Sequence, residues 1–325
     1  MMAATARQML LVETAAGALP ATVASSALDR AAAVIKPPVY ANDAMPKVAT
    51  SPRAPNVAPP SKWMKAASDI AAVVIPPLIV ILLLGIFWEI ACSSPKASLP
   101  PPSKIWTESK DLILNPFFVN GPQDIGLGLR IATSLQRVAI GFGLAAIVGI
   151  LLGTLVGQSI WAMRGLDPIF QILRTVPPLA WLPISLAAFR DSAPSAIFVI
   201  FITAIWPIII NTAVGIRNIP TDYRNVAAVL RLNQAEFFWR IMLPSTAPYI
   251  FTGLRIGIGL SWLAIVAAEM LTGGVGIGFF IWDAWNSSRL PDIIVALAYI
   301  GLVGFVLDRL VAFLGRIATR GASTA

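Results

Sequence analysis

Long apolar runs, separated by short polar segments, dominate the chain from Asp69 onward. A helix needs about 20 apolar residues to cross a hydrocarbon core of roughly 30 Å. Six runs of this length cover residues 70–92, 131–157, 168–189, 194–216, 247–271 and 292–314. Unpaired backbone is too costly in lipid, and the alternation typical of a barrel strand is absent. The pattern therefore predicts an all-α integral membrane protein with six transmembrane helices.

The first 62 residues have a different character and precede the predicted membrane domain, residues 63–325. Ala, Ser and Pro dominate them, and 8 of the 26 prolines lie there. This composition predicts a disordered extension. Its most apolar part is interrupted by Glu13 and Pro20 and lacks the compact apolar block of a secretory signal. A cleaved signal is the alternative.

Composition excludes several classes of protein. The chain is 57% hydrophobic and 12% charged, about half the charged fraction of an ordinary soluble domain. It contains no His and one Cys, which removes His-based acid/base catalysis, His-ligated zinc and an intrachain disulfide. A membrane enzyme is therefore disfavoured. The net charge of +8 is scattered through membrane flanks, without the basic face that nucleic acid requires.

The positions of Lys and Arg predict the orientation of the chain. The segment 217–246 carries four arginines against two acidic residues, and basic residues also flank the first and last spans. Because Lys and Arg accumulate on the cytoplasmic side of short loops, this segment and both termini are predicted to be cytoplasmic.

The 217–246 segment also has the pattern of two short helices joined by a turn. Thr221 or Asp222 is predicted to cap the first, Asn233 with Glu236 forms a capping box for the second, and Pro244 ends it. We interpret this helix-turn-helix as a docking element for a partner. An amphipathic element resting on lipid headgroups is the alternative.

Residues 225–244 resemble the cytoplasmic "EAA" loop of type I ABC importer permeases. That loop begins with Glu-Ala-Ala, has a Gly four residues beyond and closes with Leu-Pro. The corresponding residues here are, in order, Asn225, Val226, Ala227, Arg231, Leu243 and Pro244. Arg231 replaces the Gly, and a left-handed backbone is costly for Arg. Asn233 is therefore expected to form the turn instead.

Further stretches resemble the nitrate, bicarbonate, sulfonate and taurine permease group, and the resemblance covers about residues 65–318. They are Leu99–Lys104, Pro177–Ile184, Tyr249–Arg255 and Trp262–Glu269. The departures at Asn225 and Arg231, together with Gly276–Ala284, resemble the nitrate and bicarbonate branch most.

The resemblance implies a non-catalytic permease subunit in a bacterial inner membrane. Its implied partners are a second permease copy, two ABC ATPase subunits and a solute-binding protein at the outer face. The chain has no Gly-x-x-x-x-Gly-Lys-Ser/Thr sequence, so ATP and Mg are expected on the ATPase, with no cofactor in this chain. Nitrate is the favoured solute, with nitrite, cyanate and bicarbonate close behind. A sulfonate or taurine permease and a stand-alone secondary transporter are the alternatives.

Two sets of residues are candidates for these roles. The predicted coupling loop contains Asn225, Val226, Ala227, Ala228, Arg231, Asn233, Glu236, Phe237, Phe238, Leu243 and Pro244. The candidate translocation path contains Arg174, Thr175, Trp181, Asn211, Arg255 and Ser261. For the two arginines, snorkelling to headgroups or pairing with Asp167 or Glu236 is the alternative. Glu269 is expected to be paired.

Overall fold

The computed structural model describes residues 62–94, 97–121 and 124–319. The chain divides into two compact units, residues 1–70 and 71–325, and the first is described only from residue 62 onward. The extension predicted to be disordered, 1–62, thus lies almost wholly outside the described residues.

The described part is helical. In chain order the helices are α1 (Lys62–Cys92), α2 (Pro102–Leu114), α3 (Leu127–Gln158), α4 (Ile160–Leu173), α5 (Leu182–Phe189), α6 (Ser192–Arg217), α7 (Thr221–Val229), α8 (Gln234–Phe237), α9 (Leu243–Thr272), α10 (Ile277–Asn286) and α11 (Leu290–Thr319). A 3₁₀ turn, Pro178–Trp181, precedes α5, and a π-helical turn, Phe238–Met242, joins α8 to α9. The only β pairing within these ranges is an isolated bridge between Val119 and Ile125.

Within the described ranges, five continuous helical segments are long and apolar enough to cross a membrane. They are Ala71–Cys92, Leu127–Gln158, Ser192–Arg217, Gln234–Thr272 and Leu290–Thr319. The segments agree with five of the six predicted spans and confirm the all-α membrane fold.

The third predicted span, 168–189, is not one helix. It is divided between α4 and the segment Pro178–Phe189, which are bent by 94° relative to each other. Pro177 and Pro178 lie at the bend. Because proline supplies no N–H to the helical ladder and forces the preceding residue out of helical geometry, the helix ends before them. The sixth span exists only if this bent pair crosses as one unit.

Helix α6 is the centre of the bundle, between α3 and α9. Glycines of α3 lie directly against it: a Cβ on Gly153 would be 2.7 Å from the Cβ of Thr212, and one on Gly157 would be 3.0 Å from the Cα of Ala213. Gly141 and Gly149 contact α6 in the same way. These small residues of α3 therefore allow close helix packing.

The two ends of the bundle carry different elements. Contacts pair the start of α3 with the start of α6, whereas α9 runs in the opposite direction, so that Gly257 lies near Ala204 and Gly253 near Pro207. One end therefore carries the 217–246 segment, and we call it the loop end. The other carries α2 and α10, and we call it the α10 end.

Candidate functional site

The 217–246 segment folds as two helices joined by a tight turn, as the sequence predicts. Helix α7 ends at Val229, and α8 begins at Gln234. The N–H of Leu232 donates to the carbonyl of Ala227 at 3.0 Å, and the N–H of Arg231 donates to that of Ala228 at 3.1 Å. This pair of bonds is a Schellman motif, which satisfies the carbonyls at the end of a helix.

Arg231 itself adopts the left-handed conformation of that motif, with φ of 50°. The prediction that Asn233 forms the turn is therefore wrong. Asn233 has φ of −73° and caps α8. The two backbone bonds of the Schellman motif offset the strain of a non-glycine residue, which costs about 1 kcal/mol.

The predicted capping box is confirmed. The N–H of Glu236 donates to Oδ1 of Asn233 at 2.8 Å, and the N–H of Asn233 donates to Oε2 of Glu236 at 3.0 Å. The predicted cap of α7 is wrong, because Pro220 occupies the N-cap and makes no side-chain bond. Asp222 lies in the first turn as predicted.

Pro244 does not end the second helix, contrary to the prediction. Leu243 and Pro244 are instead the first two residues of α9, directly after the π-helical turn. The second short helix thus continues through the π-helical turn into a membrane-spanning helix.

The loop presents some apolar side chains to solvent and packs others inward. Val229 is 82% exposed and Leu230 is 63% exposed. Phe237 and Phe238, in contrast, pack against a buried cluster of Ile216, Ile219 and Met242.

The other predicted loop residues divide in the same way. Asn225, Val226 and Ala228 are exposed, whereas Ala227 is buried. An open cleft of about 440 Å³ lies between the two helices, with Arg224 and Arg231 among its lining residues. The loop is therefore an apolar and basic surface attached to the bundle by its phenylalanines.

A second feature is a cavity of about 370 Å³ beside the bend of the third span. Three of the six path candidates, Arg174, Trp181 and Asn211, line it. Trp206 and Thr203 of α6 also line it, and they complete a polar set within largely apolar walls.

The other three path candidates lie elsewhere. The hydroxyl of Thr175 donates to the carbonyl of Ile172 at 2.6 Å. Arg255 forms a two-bond ion pair with Asp308, including a bond from Nη2 to Oδ2 of 2.7 Å, so the suggested partners Asp167 and Glu236 are wrong. Ser261 is fully buried in the bundle. Their roles in translocation stay predictions.

Glu269 is paired, as expected. Its buried carboxylate accepts bonds from Nη1 of Arg137 at 2.7 Å, from Oγ of Ser134 and from the N–H of Gly278 at 3.1 Å. It therefore joins α3 and α9 to the start of α10 and satisfies the charge inside the protein. We assign it a structural role.

A second polar network, at the α10 end, was not predicted from the sequence. Arg289 pairs with Asp283 at 2.7 Å and with Asp292 at 3.0 Å, and Asp292 accepts a 2.6 Å bond from Ser109 of α2. Arg130 lies over the ring of Phe280, 5.2 Å from its centroid. Ser109 and Asp292 are 183 residues apart, and local patterns carry no signal for such a pair.

Known proteins resemble this chain over most of its length. The family model described as "Binding-protein-dependent transport system inner membrane component" matches residues 145–320. The nitrate import permease protein NrtB of Synechocystis sp. is 61% identical over 74% of this chain and 88% of that protein. NrtB of Leptolyngbya laminosa is 64% identical over 72% of this chain and 83% of that protein.

A bicarbonate permease and a solved transporter structure are also similar to this chain. The bicarbonate transport system permease protein CmpB of Synechocystis sp. is 51% identical over 80% of this chain and 92% of that protein. An inward-facing structure of the MetNI methionine ABC transporter aligns with a TM-score of 0.53 and 15% identity, over 60% of this chain and 96% of the matched chain. This last likeness supports the fold alone.

Proposed function

The chain belongs to the family of binding-protein-dependent transport system inner membrane components, and we propose that it is the permease subunit of an ATP-driven ABC importer for nitrate. The observation that carries the proposal is the 61% and 64% identity to two nitrate import permeases. Identity to the bicarbonate permease is lower, at 51%. Bicarbonate is therefore the second candidate.

Membership of this family makes the chain a transport component of the inner membrane that works with an ATPase and a binding protein. The finer assembly belongs to the proposal. One permease chain pairs with a second copy, two ATPase subunits bind at the loop end, and the solute-binding protein binds at the α10 end. ATP and Mg are held by the ATPase subunits, which carry out hydrolysis.

The loop end is assigned to the cytoplasm, with both termini. The support is the charge of the 217–246 loop, four arginines against Asp222 and Glu236. Lys and Arg in short loops set orientation through the positive-inside rule.

The 217–246 loop is the proposed docking site of the ATPase. Val229 and Leu230 are large, apolar and exposed at the end of α7, and an exposed apolar pair beside a basic cleft is typical of a protein interface. An amphipathic element resting on lipid headgroups stays the alternative, because such elements also combine exposed apolar residues with basic ones such as Arg224 and Arg231.

The continuous path from α8 through the π-helical turn into α9 supports the proposed coupling. When the ATPase pair closes, the loop moves and carries α9 with it. The bundle then switches by rigid-body rocking, one of the known routes of alternating access.

The experiment that tests the solute is uptake into proteoliposomes that contain the assembled permease and ATPase, with its binding protein supplied outside. Accumulation of isotope-labelled nitrate is measured with excess unlabelled nitrate, nitrite, cyanate, bicarbonate or taurine. We expect nitrate to compete best. Stronger competition by bicarbonate or taurine would assign the chain to that solute instead.

A further inference from the structure

The cavity beside the bend holds a cation with no counter-charge. Arg174 makes no side-chain hydrogen bond or ion pair with any residue in the described ranges, and it is the charged member of the cavity lining. Two arginines of the spanning helices differ in this respect: Arg137 pairs with Glu269 and Arg255 pairs with Asp308. An ionisable residue within the spanning part of a membrane protein is costly and marks a functional site by default.

The cavity lies at mid-depth along two spanning helices. Thr203 and Trp206 are near the middle of α6, which runs from Ser192 to Arg217, and Ile256 is near the middle of α9. A side chain that reaches headgroups lies near a helix end. Arg174, an exposed side chain directly after the end of α4, contributes to the lining of this cavity.

Neutral hydrogen-bond donors lie around the cation. Trp181 and Trp206 line the cavity, and within the described residues neither indole N–H has an acceptor. The amide nitrogen of Asn211 donates to the carbonyl of Pro207 at 2.7 Å, which leaves its second hydrogen for another acceptor.

The remaining walls are apolar, with Val176, Ile202, Ile210, Ile256 and Leu260 among them. Removing an anion from water into such walls is costly, and the cost is smallest for a weakly hydrated anion of single charge. A planar guanidinium matches a planar oxyanion through two parallel bonds. A cavity of about 370 Å³ has room for such an anion and several waters of roughly 30 Å³ each.

We propose that Arg174, with the indoles of Trp181 and Trp206, holds a singly charged planar oxyanion such as nitrate in this cavity, as an intermediate stop in translocation. The identity of the solute rests on the proposed function. The geometry of the anion site does not depend on that function. One cation with neutral donors gives weak binding, which a transport path requires because the solute must also leave.

Charge-selective labelling tests the site in the assembled complex. The natural thiol is removed by Cys92→Ser, and Ile256→Cys places a thiol on the cavity wall. Its reaction rates with an anionic and a cationic methanethiosulfonate are compared in each nucleotide state. We expect the anionic reagent to react about tenfold faster, because one unit charge lies close by. Millimolar nitrate, against gluconate at equal ionic strength, should slow the reaction.

Arg174→Gln should abolish this preference, whereas Arg174→Lys should keep it because the charge remains. Arg164→Gln is the matched control: Arg164 lies on α4, which ends directly before Arg174, but outside the cavity lining. It should leave the ratio of rates unchanged. Equal rates for both reagents in the Arg174 protein, no reaction in any nucleotide state, or no protection by nitrate would each overturn the site.

Nitrate uptake by the same variants separates this site from the function. Arg174→Gln should lower the maximal uptake rate about tenfold, with nitrate binding to the separate binding protein unchanged. Unimpaired uptake by Arg174→Gln would remove the site from the path and leave the nitrate permease intact. Charge-selective labelling in a complex that takes up no nitrate would instead overturn the proposed function and leave the anion site.

Discussion

At the scale of single residues, Arg231 holds the turn of the 217–246 loop in a conformation that suits glycine, with φ of 50°. Gly at that position carries no Cβ strain. We therefore expect Arg231→Gly to stabilise the loop by about 1 kcal/mol. The measurement is the thermal unfolding midpoint of the purified complex, which should rise.

Asn225→Gly is the control for this change. Asn225 is exposed within α7 and has helical geometry, so Gly there should lower the midpoint slightly. If Arg231→Gly lowers it as well, the backbone strain assigned to Arg231 is wrong.

Single residues also show which features of the loop and bundle could be predicted from the sequence. The capping box of Asn233 and Glu236 was predictable because both partners lie within one helical turn. The left-handed conformation of Arg231 was not predictable, because the two Schellman hydrogen bonds outweigh the preference of a non-glycine residue for negative φ. The partner of Arg255 was not predictable either: Asp308 is 53 residues away, on a helix whose rotation is set by packing.

At the scale of helices, the glycines of α3 determine how closely it approaches α6. A Cβ at Gly153 would lie 2.7 Å from the Cβ of Thr212 and 2.8 Å from the carbonyl oxygen of Ile209. We expect Gly153→Ala to destabilise the bundle by about 1 to 3 kcal/mol through overpacking. Its thermal midpoint should fall measurably.

Gly143 gives the matched control, because it lies in the same helix with no atom within 4 Å of an added Cβ. Gly143→Ala should be neutral or slightly stabilising, since Ala favours a helix more than Gly does. Equal losses for both changes would mean that helix propensity, and not the contact with α6, explains the effect.

The exposed end of α7 carries the prediction for the docking surface. Val229→Asp with Leu230→Asp should prevent the ATPase from co-purifying with the permease, because two charges would be desolvated in an apolar interface. Retention of the ATPase on affinity-tagged permease measures this. Changes at Phe237 or Phe238 test it less cleanly, since these rings pack against Ile216, Ile219 and Met242.

Val119→Asp is the control for the docking surface, because Val119 is also exposed, at 67%, in the segment that precedes α3. It should leave ATPase retention unchanged. A doubly substituted α7 that still retains the ATPase would show that the partner binds elsewhere.

The helices also show what the hydropathy pattern could and could not predict. It found five spans because each is one long apolar helix. The hydropathy pattern joined the end of α4 and the segment Pro178–Phe189 into one span. A mean hydropathy depends on which residues are present and is the same whether the chain is straight or bent. Pro177 and Pro178 indicate that the helix is interrupted, but two prolines alone do not determine a bend of 94°.

At the scale of the whole molecule, the 217–246 loop and the cavity belong to one mechanical unit. The loop continues into α9, and Ile256 and Leu260 of α9 line the cavity that contains Arg174. The loop and one wall of the cavity therefore belong to the same helical segment, Gln234–Thr272. In the proposed mechanism, ATP hydrolysis by the partner ATPase acts on this loop and moves nitrate through this chain.

Nitrate accumulation by matched proteoliposomes tests that claim most directly. One set contains the permease alone with an imposed ion gradient, and the other contains the permease with its ATPase, internal ATP and external binding protein. We expect accumulation only in the second set, and its loss when Val229 and Leu230 are changed to Asp. Accumulation by the chain alone, driven by the gradient without ATP, would contradict it.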